Sequence, residues 1–198
     1  VFVIELDKSL REPLEEALSG RDNTELIFAD AVNVDFASLA PQPGKLIANL
    51  PYNVAATVVI KAFYELPELE LACVMAQREV AQRLIAAPGG KLFGASSVLV
   101  QAVAADTASR KLSRNIFHPV PNVDSSLITL RRTSPTPGPG FVELVHDAFA
   151  HRRKPLPSSL ALAARGRPGE KQVKQQAVDS LAAIGRGQAV GDLLLPLL

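Results

Sequence analysis

The residues best suited to chemistry form the run Asn49-Leu50-Pro51-Tyr52. An apolar stretch over 45–50 precedes this run and predicts a strand, and an apolar helical pattern over 54–66 follows it. A purely structural turn between a strand and a helix favours Gly, Asp or Ser. An amide, a proline and an aromatic ring together therefore indicate a functional turn.

This combination suits methylation of the exocyclic amine of adenine, whose lone pair is delocalised into the ring and is poorly nucleophilic. The Asn49 side-chain oxygen and the backbone carbonyl of Leu50 or Pro51 can accept the two amine hydrogens and direct the lone pair at a methyl donor. Tyr52 can stack on the base. No strong base is needed, because the alkylated amine is acidic and loses its proton to water. We therefore predict catalytic roles for Asn49, Leu50, Pro51 and Tyr52.

Two acidic residues end the two preceding predicted strands. Glu5 lies in the strand predicted over 1–6, and Asp30 follows the strand predicted over 24–29. Ligands of open α/β sheets bind beyond the carboxyl ends of the strands, where Glu5 can accept ribose hydroxyls and Asp30 can accept from an adenine amino group. The structural alternatives are a helix cap for Glu5 and a turn for Asp30.

The elements that position these residues alternate between strands and helices. This rhythm predicts an α/β fold with a parallel sheet and right-handed crossovers. Two later segments, 101–112 and 125–132, are predicted to form an antiparallel pair at one sheet edge. The predicted strands are 1–6, 24–29, 45–50 and 69–76, and the predicted helices are 8–18, 54–66 and 77–86.

A Pro- and Gly-rich linker at 134–140 divides the chain. Residues 1–133 are predicted to form a Rossmann-like domain. Residues 141–198 contain no convincing strand and are predicted to form a small helical domain, with a loop at 165–169.

The charge is unevenly distributed along a nearly neutral chain of 21 basic and 20 acidic residues. Residues 1–70 carry 5 basic and 12 acidic residues (net −7), whereas residues 71–198 carry 16 and 8 (net +8). Residues 150–176 alone hold seven Lys or Arg and one acid. This density predicts a face for a polyanion, with a solvated surface as the alternative.

The composition also excludes several classes of protein. The single cysteine, Cys73, allows no disulfide within one chain and fits a reducing cytoplasm. Three scattered histidines without a Cys-x-x-Cys pair argue against a zinc site, so no metal is predicted. No apolar run reaches the roughly 18 residues of a membrane span.

Several motifs in order resemble those of the KsgA-type ribosomal RNA adenine N6,N6-dimethyltransferases, over about residues 1–160. Each motif has a counterpart in that family, including its catalytic Asn-Leu-Pro-Tyr and its Phe-x-Pro-x-Pro-x-Val-x-Ser segment. The matching segments are Val3–Asp7, Ala29–Ala31, Asn49–Asn53, Gln77–Leu84, Phe117–Ser125 and Phe149–Lys154.

The resemblance implies dimethylation of two adjacent adenosines of small-subunit (16S) rRNA by a cytoplasmic monomer acting on rRNA or the pre-30S particle. It implies S-adenosylmethionine as cofactor and a target base stacked between Tyr52 and Phe117. The implied cofactor contacts are Glu5, Leu6, Asp30, Ala31 and Asn49, and the implied RNA contacts are Arg152, Arg153 and Lys154.

The chain departs from the family pattern in three places. The glycine-rich loop that holds the methionine part of the cofactor is absent, and the chain opens on the strand at Val1. We therefore expect an N-terminal truncation, a class I methyltransferase sheet without its first strand, and an inactive chain. Phe93 stands where Tyr is expected, and Pro155 and Pro157 interrupt the basic helix.

Three alternatives are weighed against this interpretation. Macrolide-resistance methyltransferases share the fold and the catalytic motif but act on large-subunit RNA. Mitochondrial transcription factors of this superfamily bind nucleic acid without catalysis, which the intact Asn49–Tyr52 motif disfavours. A dinucleotide-dependent oxidoreductase fits Glu5 but leaves Asn-Leu-Pro-Tyr unexplained.

Overall fold

A computed structural model describes residues 1–51 and 53–183. Tyr52 and the end of the predicted helical domain, 184–198, lie outside the described residues. The chain divides into two compact units. The first unit comprises Val1–Ala81 and Ala104–Pro135, and the second comprises Gln82–Val103 and Thr136–Leu198.

The first unit begins with a two-stranded parallel sheet of β1 (Phe2–Glu5) and β2 (Glu25–Phe28). A 3-10 turn and α1 (Arg11–Leu18) connect the two strands. Gly20 follows α1 with a φ of +74°, which glycine adopts without steric cost. The predicted strands and helix are confirmed, except that the first helical turn is a 3-10 turn.

A four-stranded sheet completes the first unit, in the order β3-β4-β6-β5. The pair β3–β4 is parallel, and the pairs β4–β6 and β5–β6 are antiparallel, so both the parallel and the antiparallel predictions are confirmed. The bounds are β3 Lys45–Asn49, α2 Ala55–Glu65, β4 Leu71–Gln77, β5 Ala104–Leu112 and β6 Ser125–Arg132.

The core of this unit lies between α2 and one face of β4 and β6. Alternate residues of β4 are buried, as expected for a strand with one covered face. The fully buried side chains include Val58, Val59, Phe63, Val74, Ile128 and Leu130.

Arg132 joins the end of β6 to the end of α2. Its guanidinium donates to the carbonyl oxygens of Phe63 (2.7 Å), Leu66 (2.9 Å) and Leu69 (2.8 Å). Burial lowers the pKa of Arg132, and the charge of Glu68 opposes this shift. The cation therefore binds carbonyl oxygens in the last turn of α2 and in the segment that follows it.

The second unit contains only helices among its described residues. Helix α3 (Arg78–Leu84) crosses from the first unit into the second. The others are α4 Ala95–Gln101, α5 Phe141–Ala150, α6 Leu156–Ala163 and α7 Glu170–Ala183. The prediction of a helical C-terminal part is thus confirmed over its described residues.

The structure differs from the sequence-based expectations at two places. The prediction that an extended segment starts at Gln101 was wrong, because Ala95–Gln101 forms a helix and β5 starts at Ala104. The compact units also depart from a single cut near 134–140, since 82–103 group with the C-terminal helices. The domain boundaries themselves stay a prediction. No helix within the described ranges is long and apolar enough to span a bilayer.

Candidate active site

Asn49 is the last residue of β3 and pairs with Met75 of β4. The next residue continues the ladder, because the Leu50 amide donates to the Met75 carbonyl oxygen at 2.9 Å. Leu50 is buried and holds the turn in place, while Asn49 is exposed. The side chain of Asn49 has no hydrogen-bond partner within the part of the chain that the structure describes. Its amide group is therefore available to a ligand.

The two carbonyls considered as second acceptors differ in their partners. The Pro51 carbonyl oxygen accepts from the amides of Val54 (3.2 Å) and Ala55 (3.1 Å), and so begins α2. Both of its lone pairs are thereby used. No backbone amide of the described residues donates to the Leu50 carbonyl oxygen. Of the two, Leu50 is therefore the better acceptor for a ligand.

A cavity of about 260 Å³ opens beside Asn49, at the carboxyl ends of β3 and β4. Its size is slightly below the roughly 300 Å³ lower end of small-molecule pockets, which suits a single flat base. Strands β3, β4 and β6 form its floor, and the loop before β6 forms its wall. The lining residues are Asn49, Met75, Ala76, Phe117, His118, Pro119, Pro121 and Ser125.

Asp124 anchors the loop that forms this wall. Its Oδ1 accepts from the Arg114 amide at 3.3 Å, and its carbonyl oxygen accepts from the Arg78 amide at 3.0 Å. Its Oδ2 lies 3.4 Å from Lys111 Nζ and 3.9 Å from Arg78 Nη1. The Arg114 amide, followed by Lys111 and Arg78, holds the pKa of Asp124 below its ordinary value. The carboxylate thus ties both ends of the loop segment that carries Phe117.

Glu5 and Asp30 lie at the adjacent carboxyl ends of β1 and β2. Glu5 Oε1 accepts from the Asp7 amide at 2.8 Å, and Asp7 rather than Glu5 caps the following 3-10 turn. Asp30 Oδ1 accepts from the Val32 amide at 3.0 Å, so Asp30 forms the turn that its sequence context suggested as the alternative. Contacts to a nucleoside by Glu5, Leu6, Asp30 and Ala31 stay predictions.

The structure therefore places some predicted residues together and leaves others apart. Asn49 and Phe117 line one cavity. Glu5 and Asp30 share the β1–β2 edge in the same unit. The predicted stacking residue Tyr52 falls outside the described part of the chain.

The three predicted RNA-binding residues lie in the second unit, in the turn between α5 and α6. Helix α5 ends at Ala150, and Pro155 caps the start of α6, so Arg152, Arg153 and Lys154 are not helical. All three are exposed, and Arg152 Nη2 donates to the Lys91 carbonyl oxygen at 3.1 Å.

Comparison with known proteins decides the family. The profile of ribosomal RNA adenine dimethylases matches residues 1–189. The chain belongs to this family. The resemblance found in the sequence is thereby confirmed.

Curated relatives of the chain carry the name ribosomal RNA small subunit methyltransferase A. The relative from Rubrobacter xylanophilus is 38% identical over 94% of the chain and 69% of its own length. The relative from Thermobifida fusca is 37% identical over 96% of the chain and 69% of its own length. The relative from Rhodococcus opacus is also 37% identical, over 81% of the chain and 58% of its own length. The chain thus spans about three fifths to two thirds of these relatives.

Solved structures confirm the class I methyltransferase fold. A dimethyladenosine transferase from Plasmodium falciparum matches 94% of the chain and 66% of its own length, with a TM-score of 0.70 and 21% identity. The 23S rRNA methyltransferase ErmE matches 98% of the chain and 76% of its own length, with a TM-score of 0.61 and 26% identity.

Several residues at the cavity had no role predicted from the sequence. His118, Pro119 and Pro121 line it beside Phe117, and Asp124 holds their loop. All four lie within the Phe117–Ser125 motif, so the motif was the available signal. Met75 gave no signal beyond its place in an apolar strand.

Proposed function

We propose that this protein transfers methyl groups from S-adenosylmethionine to N6 of adenine, dimethylating two adjacent adenosines of small-subunit rRNA. The observation that carries the proposal is the shared cavity of Asn49 and Phe117, because it combines an amide acceptor with an aromatic surface. These groups recognise the amine and the ring of one base.

The chain's own residues position the target amine. Asn49 Oδ1 and the Leu50 carbonyl oxygen accept its two hydrogens, and the Pro51 carbonyl is excluded because it already binds two amides. Phe117 stacks on one face of the base and Tyr52 on the other. Catalysis is then mostly positioning of the amine and desolvation of the bound base.

The target adenine must leave its stack to enter this cavity. Extrusion of a base costs a few kcal/mol, and stacking on aromatic side chains returns about 1–3 kcal/mol per base. Asp124 contributes indirectly, because it fixes the loop that carries Phe117.

The β1–β2 edge fits the adenosine part of the cofactor. Glu5 Oε1 binds the Asp7 amide, and its carboxylate keeps acceptor capacity for ribose hydroxyls at the end of a strand. Leu6, which is 65% exposed, and Ala31 flank this edge and offer apolar contact. When bound, S-adenosylmethionine supplies the electrophilic methyl group.

The exposed turn with Arg152, Arg153 and Lys154 binds RNA phosphates in this proposal. The partner is small-subunit rRNA within the pre-30S particle, and the protein acts as a monomer in the cytoplasm. Large-subunit rRNA is the alternative substrate, since the fold is shared with ErmE.

The test is a methylation assay with radiolabelled S-adenosylmethionine and purified ribosomal subunits that lack the modification. The assay uses the product of the complete gene. We expect the label in dimethyladenosine of the small subunit alone. Label in large-subunit RNA, or no transfer by the complete gene product to either subunit, would contradict the proposal.

A further inference from the structure

Four basic residues of the first unit lie near the end of the four-stranded sheet at which the cavity opens. The segment 108–123 contains Arg110, Lys111 and Arg114 and no acidic residue. Arg78 follows β4 directly and joins them through Asp124. We call these four residues, Arg78, Arg110, Lys111 and Arg114, the cationic rim.

The strand register places the cationic rim at the same end of the sheet as the cavity. Leu112 of β5 and Gln77 of β4 both pair with Ser125, which lines the cavity. Lys111 and Arg78 are the immediate neighbours of these paired residues. The rim and the candidate base pocket are therefore adjacent parts of one unit.

The rim keeps a positive charge after its ion pairs are counted. Asp124 lies within ion-pair distance of both Arg78 and Lys111, so one carboxylate offsets two cations. The side chains of Arg78 and Lys111 are 47% and 60% exposed, whereas that of Asp124 is 29% exposed. The carboxylate thus positions both charged groups, which are more exposed to solvent than the carboxylate itself.

We propose that the cationic rim binds the phosphates that flank the extruded nucleotide of a single-stranded RNA segment. This inference rests on the proposed function, because the occupant of the cavity is then a base joined to two phosphates. Phosphate contacts fix the register of a protein on RNA, and contacts beside the pocket determine which nucleotide can enter it. The rim is a second phosphate-binding surface, in addition to Arg152–Lys154 of the second unit.

The test compares two double variants that lose the same charge at opposite ends of the four-stranded sheet. Arg78→Gln with Lys111→Gln removes two rim cations. The control, Lys45→Gln with Arg131→Gln, removes two exposed cations at the opposite end, where both residues are paired with Leu71. The probe is a fluorescently labelled single-stranded RNA from the 3′ end of small-subunit rRNA, titrated over a range of salt concentrations.

We expect the slope of log K against log salt to fall by about 1.4 in the rim variant, since each single-strand phosphate contact contributes about 0.7. The slope of the control variant should match the parent. A third variant, Arg78→Lys with Lys111→Arg, keeps the charge and should keep the parental slope. Equal slopes in the rim and control variants would overturn the proposal, as would loss of slope in the charge-conserving variant.

The outcomes separate this inference from the proposed function. If the parent methylates rRNA and the rim variant keeps the parental slope, the rim proposal fails and the function stands. If the rim variant loses slope as expected but the complete gene product methylates no rRNA, the function fails and the RNA-binding surface stands. Thermal unfolding of each variant shows whether a reduced slope comes from a loss of folding. If the rim variant does not fold, the slope of the charge-conserving variant tests the proposal.

Discussion

Arg132 Nη2 donates to the Phe63 carbonyl oxygen at 2.7 Å and so joins the last residue of β6 to α2, 69 positions earlier. The Arg132 guanidinium also lies 5.3 Å from the centre of the Phe63 ring. This contact fixes the end of the helix that begins at the Asn49–Tyr52 turn.

Arg132→Met should lower the free energy of unfolding by about 2–3 kcal/mol, because several half-buried carbonyls lose a charged donor. Chemical denaturation monitored by circular dichroism measures the change. Arg131→Met is the control, since the side chain of Arg131 is exposed. This variant should change the free energy of unfolding by less than about 0.5 kcal/mol. Equal losses in the two variants would show that the carbonyl contacts contribute nothing.

Tyr64 should titrate far above an ordinary tyrosine. Burial raises its pKa to about 12. Because the folded state holds the proton more tightly, the stability it contributes is complete below the unfolded pKa of about 10 and is lost as the pH rises toward 12. The chain contains only Tyr52 and Tyr64, so ultraviolet titration of Tyr52→Phe follows Tyr64 alone. A midpoint near 10 in the folded variant would contradict the burial of Tyr64.

Asp124 should contribute to stability at neutral pH and not in strong acid. Its pKa is lowered chiefly by the Arg114 amide, so its contribution is present above the unfolded pKa of about 4 and disappears as the pH falls through its folded value. The melting temperatures of the parent and Asp124→Asn should therefore differ at pH 7 and converge well below pH 4. A constant difference across this range would mean that the charge of Asp124 is irrelevant to the loop.

Glu5→Ala should weaken binding of S-adenosylmethionine to the complete gene product by about tenfold or more, since hydrogen bonds to a charged acceptor are worth about 1.5–3 kcal/mol each. Glu25→Ala is the matched control, because Glu25 lies at the opposite end of the β1–β2 pair. Calorimetry measures both affinities. Equal affinities in the two variants would restrict Glu5 to its contact with the Asp7 amide.

The sequence was most informative where local pattern and tertiary packing agree. The apolar runs in 69–76 and 54–66 predicted β4 and α2, and both pack into one core. Helix α4 was missed because Ser and β-branched residues lower the helix propensity of 95–101. Tertiary contacts stabilise this helix despite its low propensity. Ser97 is buried, and its hydroxyl donates to the Arg83 carbonyl oxygen.

The candidate site was predictable in its residue types but not in its hydrogen bonds. The sequence left Leu50 and Pro51 open as acceptors, since only the start of α2 commits the Pro51 carbonyl. It likewise could not reveal that Asp124 meets Lys111 and Arg78, because sheet pairing brings these residues together from distant segments.

In the proposed function, Asn49 holds the target amine during methyl transfer. Its hydrogen bond matters most as the nitrogen rehybridises, so Asn49→Ala should abolish turnover while RNA affinity, which comes mainly from phosphate contacts, changes little. Phe117→Ala should lose both base capture and turnover. Asn23→Ala, at an exposed asparagine between α1 and β2, is the control and should remain fully active.

The decisive measurement is single-turnover methylation of small-subunit RNA by the complete gene product, run beside a filter-binding titration of the same RNA. We expect Asn49→Ala to lose turnover, to keep near-parental RNA affinity and to unfold at the parental temperature. Near-parental turnover in Asn49→Ala would contradict the catalytic assignment. Loss of turnover and RNA affinity together would show instead that Asn49 only maintains the turn between β3 and α2.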